Sequence, residues 1–185
     1  MTTEISDYDL LDAWVAGDAE AGNALFERHL GSLQRFFGSK VGSDGDELVQ
    51  RTMIACVESH RAIRREASFR TYLFTIARHE LYRFFRERAR DGARVDFELT
   101  SLRDLGTSPT GALLKRQEAD RLRAAMETLP LDTQVTLELH YVEGLDSFEI
   151  ADVLGIAPGS VRARLHRARE SLERALADLD RGAGA

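Results

Sequence analysis

The chain has 185 residues, 43% of them hydrophobic, and carries 25 Lys and Arg against 31 Asp and Glu for a net charge of −6. That length suits one domain or two small ones with an ordinary core. No apolar run approaches the roughly 20 residues needed to cross a bilayer. The acidic opening MTTEISDYDLLDAW lacks the basic-then-apolar layout of a secretion signal. The single Cys56 excludes an internal disulfide and fits a reducing, cytoplasmic setting.

Only three prolines, Pro109, Pro130 and Pro158, interrupt long runs of good helix formers, so an all-helical protein is expected. DYDLLDAWVAGDAEAGNALFERHLGSLQRFF reads as two helices with a bend at Gly17–Asp18. Its second part carries a buried stripe of Leu25, Phe26, His29, Leu30, Leu33, Phe36 and Phe37 at three- and four-residue steps. GSDGDELVQ supplies turn residues and an acidic helix start. The helix that follows runs to about Ile63, with Val49, Met53, Cys56 and Val57 on one side. After the charged turn RREAS comes FRTYLFTIARHELYRFFRERAR. Its inner face is Leu73, Ile76, Ala77, Leu81 and Phe84, and Arg78, His79, Tyr82, Phe85 and Arg86 are left outside. Glu80 falls on the inner side, where it needs an arginine partner.

Periodicity fails over DGARVDFELTSLRDLGTSPTGALL, an expected linker with at most a helical turn. Four more helices follow: LKRQEADRLRAAMETL, PLDTQVTLELHYVEG, DSFEIADVLGI and PGSVRARLHRARESLERALADL. The expected architecture is therefore all-α, with two small helical domains, 1–94 and 114–185, joined by a flexible linker over 95–113.

Charge is distributed unevenly along this plan. Residues 1–60 balance at −7, residues 61–94 at +6, residues 95–146 at −5 and residues 147–185 at zero. In the last of these, PGSVRARLHRAR holds four arginines, a histidine and no acid. Two basic zones in an acidic chain suggest two faces for a polyanion.

SFEIADVLGIAPGSVRARLHRARESL has the layout of a DNA-binding helix-turn-helix. Ser147 is positioned to cap a short helix carrying Phe148, Ile150, Ala151, Val153 and Leu154. Gly155 can end it in the left-handed conformation, and Pro158 suits the first turn of the next helix. In that second helix Val161, Leu165, Ala168 and Leu172 fall together and should pack on the first. Ser160, Arg162, Ala163, His166 and Arg167 are left as candidates for the duplex groove.

Taken together, METLPLDTQVTLELHYVEGLDSFEIADVLGIAPGSVRARLHRARESLERAL resembles the fourth conserved region of bacterial sigma factors, most of all the small extracytoplasmic-function group. AGDAEAGNALFERHL resembles that group's opening helices, DGDELVQRTMIACV its polymerase-binding segment, and FRTYLFTIARHELYRFFRER its promoter-melting segment. The resemblance covers about residues 8–95 and 114–177. It implies a factor that recruits core RNA polymerase to chosen promoters, reads an upstream element as duplex and a downstream element as an opened strand, and is restrained by an anti-sigma partner.

On that resemblance, Arg78, His79, Tyr82, Phe85 and Arg86 would hold the single strand, whose phosphates suit arginines and whose bases stack on rings. A flipped base would need a pocket near HRAIRREAS. Asp46, Gln50, Arg51 and Ile54 would meet polymerase. Three positions depart from the family pattern. His79 stands where Asn is common, Arg83 where an acid is frequent, and Arg51 where an acid is usual.

Catalytic chemistry is not expected. His29, His60, His79, His140 and His166 lack paired ligand spacing, so neither a metal nor another cofactor is implied. Cys56 reads as a small core residue. The alternative from another class is a polymerase-independent, dimeric helix-turn-helix regulator, which would not need the basic and aromatic helix.

Overall fold

In this computed structural model the structure describes residues 5–60, 68–89, 95–102, 104–105 and 117–183. The first helix, α1 (Asp7–Val15), begins where the Ser6 hydroxyl accepts the Asp9 N–H at 3.2 Å. Asp18 caps α2 (Ala19–Val41) by accepting from the amides of Glu20 and Ala21, so the break falls at Gly17–Asp18 as the sequence predicts. A single 3₁₀ turn, Gly42–Asp44, leads into α3 (Gly45–Ser59). The expected extension to Ile63 and the expected base pocket both fall on residues 61–67, outside the described residues. The Ser68 hydroxyl then caps α4 (Phe69–Arg88), accepting the Thr71 N–H at 3.2 Å.

These four helices converge on a core of Trp14, Leu25, Leu33, Phe36, Phe37, Leu48, Leu73, Phe74 and Leu81, all buried. Each such side chain stabilises the fold by about 1.5–3 kcal/mol when removed from water. The Trp14 ring stacks on His60 at 4.6 Å and meets Phe26 edge-on at 5.4 Å. Gly22 lets α2 approach that indole, because a Cβ there would lie 2.5 Å from the Trp14 Nε1. Val57, expected on the buried side of α3, is instead exposed. The inner stripe is Leu48, Val49, Thr52 and Cys56, one step round the helix.

The second group comprises α5 (Gln117–Glu127), α6 (Leu131–Tyr141), α7 (Ser147–Leu154) and α8 (Pro158–Ala183). Asp146, not Ser147, caps α7. Its carboxylate accepts the amides of Phe148 and Glu149 at 2.7 and 2.9 Å, and the Glu149 carboxylate accepts the Asp146 N–H at 2.9 Å. This reciprocal box makes Ser147 the first helical residue. Phe148 points outward, 63% exposed, because the buried stripe of α7 is Ile150, Ala151, Val153 and Leu154. Gly155 ends α7 at φ 67°, ψ 36°, as expected, and the amides of Gly155 and Ile156 both reach back to the Ala151 carbonyl. Val161 and Leu165 join the main core, whereas Ala168 and Leu172 pack with Met126 of α5, Leu137 of α6 and Leu129 in the turn between them rather than on α7.

The two groups share one apolar core. It runs without a break from Phe36 and Phe74 to Leu139, Ile150 and Leu165, with α7 laid along α4. Part of the linker belongs to this body. Phe97 and Leu102 are buried, and Ser101 forms an isolated bridge with Pro130. The carbonyls of Thr100 and Phe97 accept the amides of Leu131 and Asp132, each at 3.0 Å. These bonds satisfy the exposed start of α6, where Pro130 has no side chain able to cap. Linker residues 103 and 106–113 lie outside the described residues. No strand occurs among the described residues.

Candidate nucleic-acid interface

Helix α8 presents a clean division of faces. Val161, Leu165 and Ala168 are buried, while Ser160, Arg162, Ala163, His166 and Arg167 are all exposed along the first three turns. The other two arginines of PGSVRARLHRAR serve the fold. Arg164 donates to Asp132 at 3.2 Å and to Glu98 at 2.7 Å, and Arg169 donates to the Tyr141 hydroxyl. Among the described residues Arg162 and Arg167 have no acidic partner, so both guanidinium groups are available to bases or phosphates. His166 lies 3.7 Å from Glu170 on the same helix.

On α4 the expected strand-facing set divides. His79 and Arg86 are exposed, and Arg78 is half-buried. Tyr82 and Phe85, expected outside, are buried instead. Their cover is Phe97, whose ring centroid stands 4.3 Å from that of Tyr82 and 6.5 Å from that of Phe85. Arg78 stacks over the other part of the Tyr82 ring at 4.5 Å and lies 3.7 Å from Asp132. Partial desolvation of the ring, and then the charges of Arg78 and Arg86, hold the His79 imidazole below its ordinary pKa.

Arg51 also departs from expectation. It leaves the outer face of α3 and reaches across to α4, donating to Glu80 at 2.9 Å, with Glu47 at 3.8 Å and Glu87 at 3.7 Å. Arg83 adds a second contact to Glu80 at 3.2 Å. The inward Glu80 thus finds its arginine partner. Asp46, Gln50 and Ile54 remain exposed on α3, and Ile54 is 51% accessible despite being apolar. Cys56 is a core residue, its thiol pushed by burial up to about 12.

Sequence reasoning did not find the seam between the two groups. Lys40, 1% exposed, donates to the Phe36 carbonyl at 2.7 Å, to the Ser39 hydroxyl at 3.1 Å and to Glu138 of α6. Burial drives the Lys40 pKa down and the Glu138 pKa up, against their mutual attraction. Glu143, also buried, faces Arg35 at 3.5 Å and Arg70 at 3.9 Å. The Ser68 hydroxyl donates to Glu149 at 3.3 Å. Lone charges in polar stretches read as solvated, so only a pairing across about a hundred residues would have revealed them. Phe97 and Leu102, apolar residues in an otherwise polar linker, were the one local signal. Among the described residues no cluster of side chains could hold a metal ion, and no helix is long and apolar enough to cross a membrane.

Comparison with known proteins follows the same two-part division. The family Sigma-70 region 2 matches residues 25–91, and the family Sigma-70, region 4 matches residues 119–172. The RNA polymerase sigma-H factor of Pseudomonas aeruginosa is 30% identical, aligned over 99% of this chain and 100% of its own. The ECF RNA polymerase sigma-E factor of Haemophilus influenzae is 27% identical over 97% of this chain and 100% of its own. Among solved structures, CnrH in complex with the cytosolic domain of CnrY superposes with a TM-score of 0.68 at 24% identity, covering 94% of this chain and 98% of that one. RpoE with the anti-sigma factor NepR from Bartonella quintana gives 0.66 at 22% identity, over 83% and 95%.

Proposed function

Because the chain belongs to the sigma-70 family of RNA polymerase sigma factors, in its extracytoplasmic-function group, we propose that its two basic faces divide the work of promoter recognition. The protein is an alternative sigma factor, which binds core RNA polymerase and directs it to particular promoters. The finer assignments follow from the surfaces. Ser160, Arg162, Ala163, His166 and Arg167 read the upstream element in the major groove, with arginines suited to guanine edges. Arg78, His79, Tyr82, Phe85 and Arg86 hold the opened downstream strand once Tyr82 and Phe85 are uncovered. Asp46, Gln50 and Ile54 contribute the polymerase-facing surface of α3. Arg51 supports that surface from behind through Glu80.

The observation that carries this reading is the acid-free, outward face of α8 beside a stripe buried against the core. Helix dipole and side chains act together there, since the positive end of the α8 dipole lies beside these arginines. The domains would be 1–94 and 114–185, with 95–113 between them. We read the factor as acting in the cytoplasm without catalysis of its own. The CnrH structure holds the cytosolic domain of CnrY and the RpoE structure the anti-sigma factor NepR, and an anti-sigma protein is the corresponding partner here.

The test is retention of core RNA polymerase by the purified protein, followed by run-off transcription from genomic fragments. Stable association with new promoter-specific transcripts is the expected result. A dimer that shifts duplex DNA without polymerase would overturn it in favour of a conventional regulator.

A further inference from the structure

We propose that the linker segment around Phe97 is an internal occupant of the strand-binding face of α4, so that the closed chain and an opened promoter strand exclude each other. The proposal rests on the assignment of α4 to the downstream strand. Phe97 takes the place of a base, its ring lying 4.3 Å from Tyr82 at a tilt of 33°. It is flanked by Asp96 and Glu98, an acid–aromatic–acid order that reproduces phosphate, base and phosphate. Glu98 binds Arg164 at 2.7 Å, and Asp132, at the start of α6, stands 3.7 Å from Arg78 and 3.2 Å from Arg164. The same acidic cluster therefore engages one arginine of each basic helix.

The occupant moves with the second group of helices. The carbonyls of Phe97 and Thr100 are bonded to the first amides of α6, and Leu102 is buried. Separating α6 and α7 from α4 withdraws Phe97 and Asp132 together. The occupant is also an incomplete one. Arg78 Nε, the Tyr82 hydroxyl and Asp132 Oδ1 are buried at this seam with no hydrogen-bond partner among the described residues. A cavity of about 600 Å³ lined by Arg78, Tyr82, Asp96, Phe97, Glu98 and Asp132 adjoins them. A nucleotide strand can supply the acceptors that Arg78 and Tyr82 lack, so a promoter strand outcompetes the linker once the seam is loosened.

The test is fluorescence anisotropy of a fluorescein-labelled, single-stranded oligonucleotide of random sequence and about 12 nucleotides, titrated with the full chain. Phe97→Ala is expected to bind about fivefold more tightly or better than wild type, the scale of one uncovered stacking ring. Adding Tyr82→Ala should cancel the gain. Asp132→Asn, which leaves the buried ring in place, should shift affinity in the same direction, and it carries the test if Phe97→Ala melts below the assay temperature. Wild-type affinity in folded Phe97→Ala, or in Asp132→Asn where Phe97→Ala does not fold, overturns the proposal. Run-off transcription separates this failure from the broader one. Unchanged strand affinity beside normal wild-type transcription removes the occlusion alone. Normal promoter opening by Arg78→Ala with Arg86→Ala removes the assignment of α4, and the occlusion with it.

Discussion

Arg51 and Glu80 form a 2.9 Å ion pair that fastens α3 to α4, and each explains the oddity of the other. An arginine stands on α3 where the family resemblance leads one to expect an acid. A carboxylate meanwhile occupies a buried position on α4. Arg83, another departure from the family pattern, completes the cluster at 3.2 Å. Both arginines are thus taken up within one intramolecular network. A reversal aimed at the polymerase would have left Arg51 on the outer face.

Arg51→Ala should therefore act on stability before it acts on binding. Loss of a charged hydrogen-bond partner from a half-buried site is expected to cost about 2 kcal/mol in urea denaturation. Ile54→Asp should do the reverse, weakening retention of core polymerase while leaving the denaturation midpoint nearly unchanged. Equal effects of both substitutions on polymerase retention would return Arg51 to the contact surface.

The Lys40–Glu138 pair makes a sharper stability prediction. Lys40→Met alone strands a buried carboxylate and should destabilise by about 3–5 kcal/mol. Lys40→Met with Glu138→Leu should recover most or all of that loss, because burial opposes both charges. A double-mutant cycle measured by denaturant midpoints decides this. Additive losses would mean that the two side chains do not meet in solution.

Arg162→Ala and Arg167→Ala should each weaken upstream-element recognition by about 1–3 kcal/mol if bidentate to a base. Arg164→Ala should instead lower stability, since its guanidinium is held by Asp132 and Glu98. Competition binding of the polymerase holoenzyme to promoter variants, alongside thermal melts, separates the two kinds of arginine. Selectivity unaltered in both Arg162→Ala and Arg167→Ala would take them off the reading face.

His79 predicts a pH effect of fixed sign. Its folded-state pKa is lowered, so the unfolded chain binds the proton more readily. Stability falls as pH drops below the ordinary imidazole value of about 6.5, and it levels off once the folded-state pKa is passed. His79→Gln should flatten that part of the stability profile, measured by denaturation at a series of pH values. A profile identical to wild type would show that His79 is not held neutral by its surroundings.

The helical plan was legible because its signals are local. Val161 and Leu165 lie one turn apart and Gly155 sits at the only place where α7 can turn. Residues three or four apart write a buried stripe directly into the sequence. The outward placement of Arg162 and Arg167 followed from the same spacing. Tyr82 and Phe85 were misplaced because spacing describes only the helix on which they lie, and their cover comes from Phe97, outside any periodic segment. Arg51 was misplaced, and Lys40 passed unnoticed, for a related reason. A charge is buried or exposed according to its partner, and Glu138 and Glu80 are far away along the chain. Asp146 was overlooked as a cap because Ser147 beside it is equally suited by type. Only the reach of Glu149 back to the Asp146 amide decides between them.

The seam joins residues that leave the ribosome far apart in time. Lys40 precedes Glu138 by 98 positions, Arg35 precedes Glu143 by 108 and Ser68 precedes Glu149 by 81. A growing chain thus displays the arginine and aromatic face of α4 before Phe97 can shield it, and finishes α2 with Lys40 still hydrated. Closure needs both ends of each of these contacts, so it waits for the second group of helices to be made, and contacts of such range are the kind that slow folding.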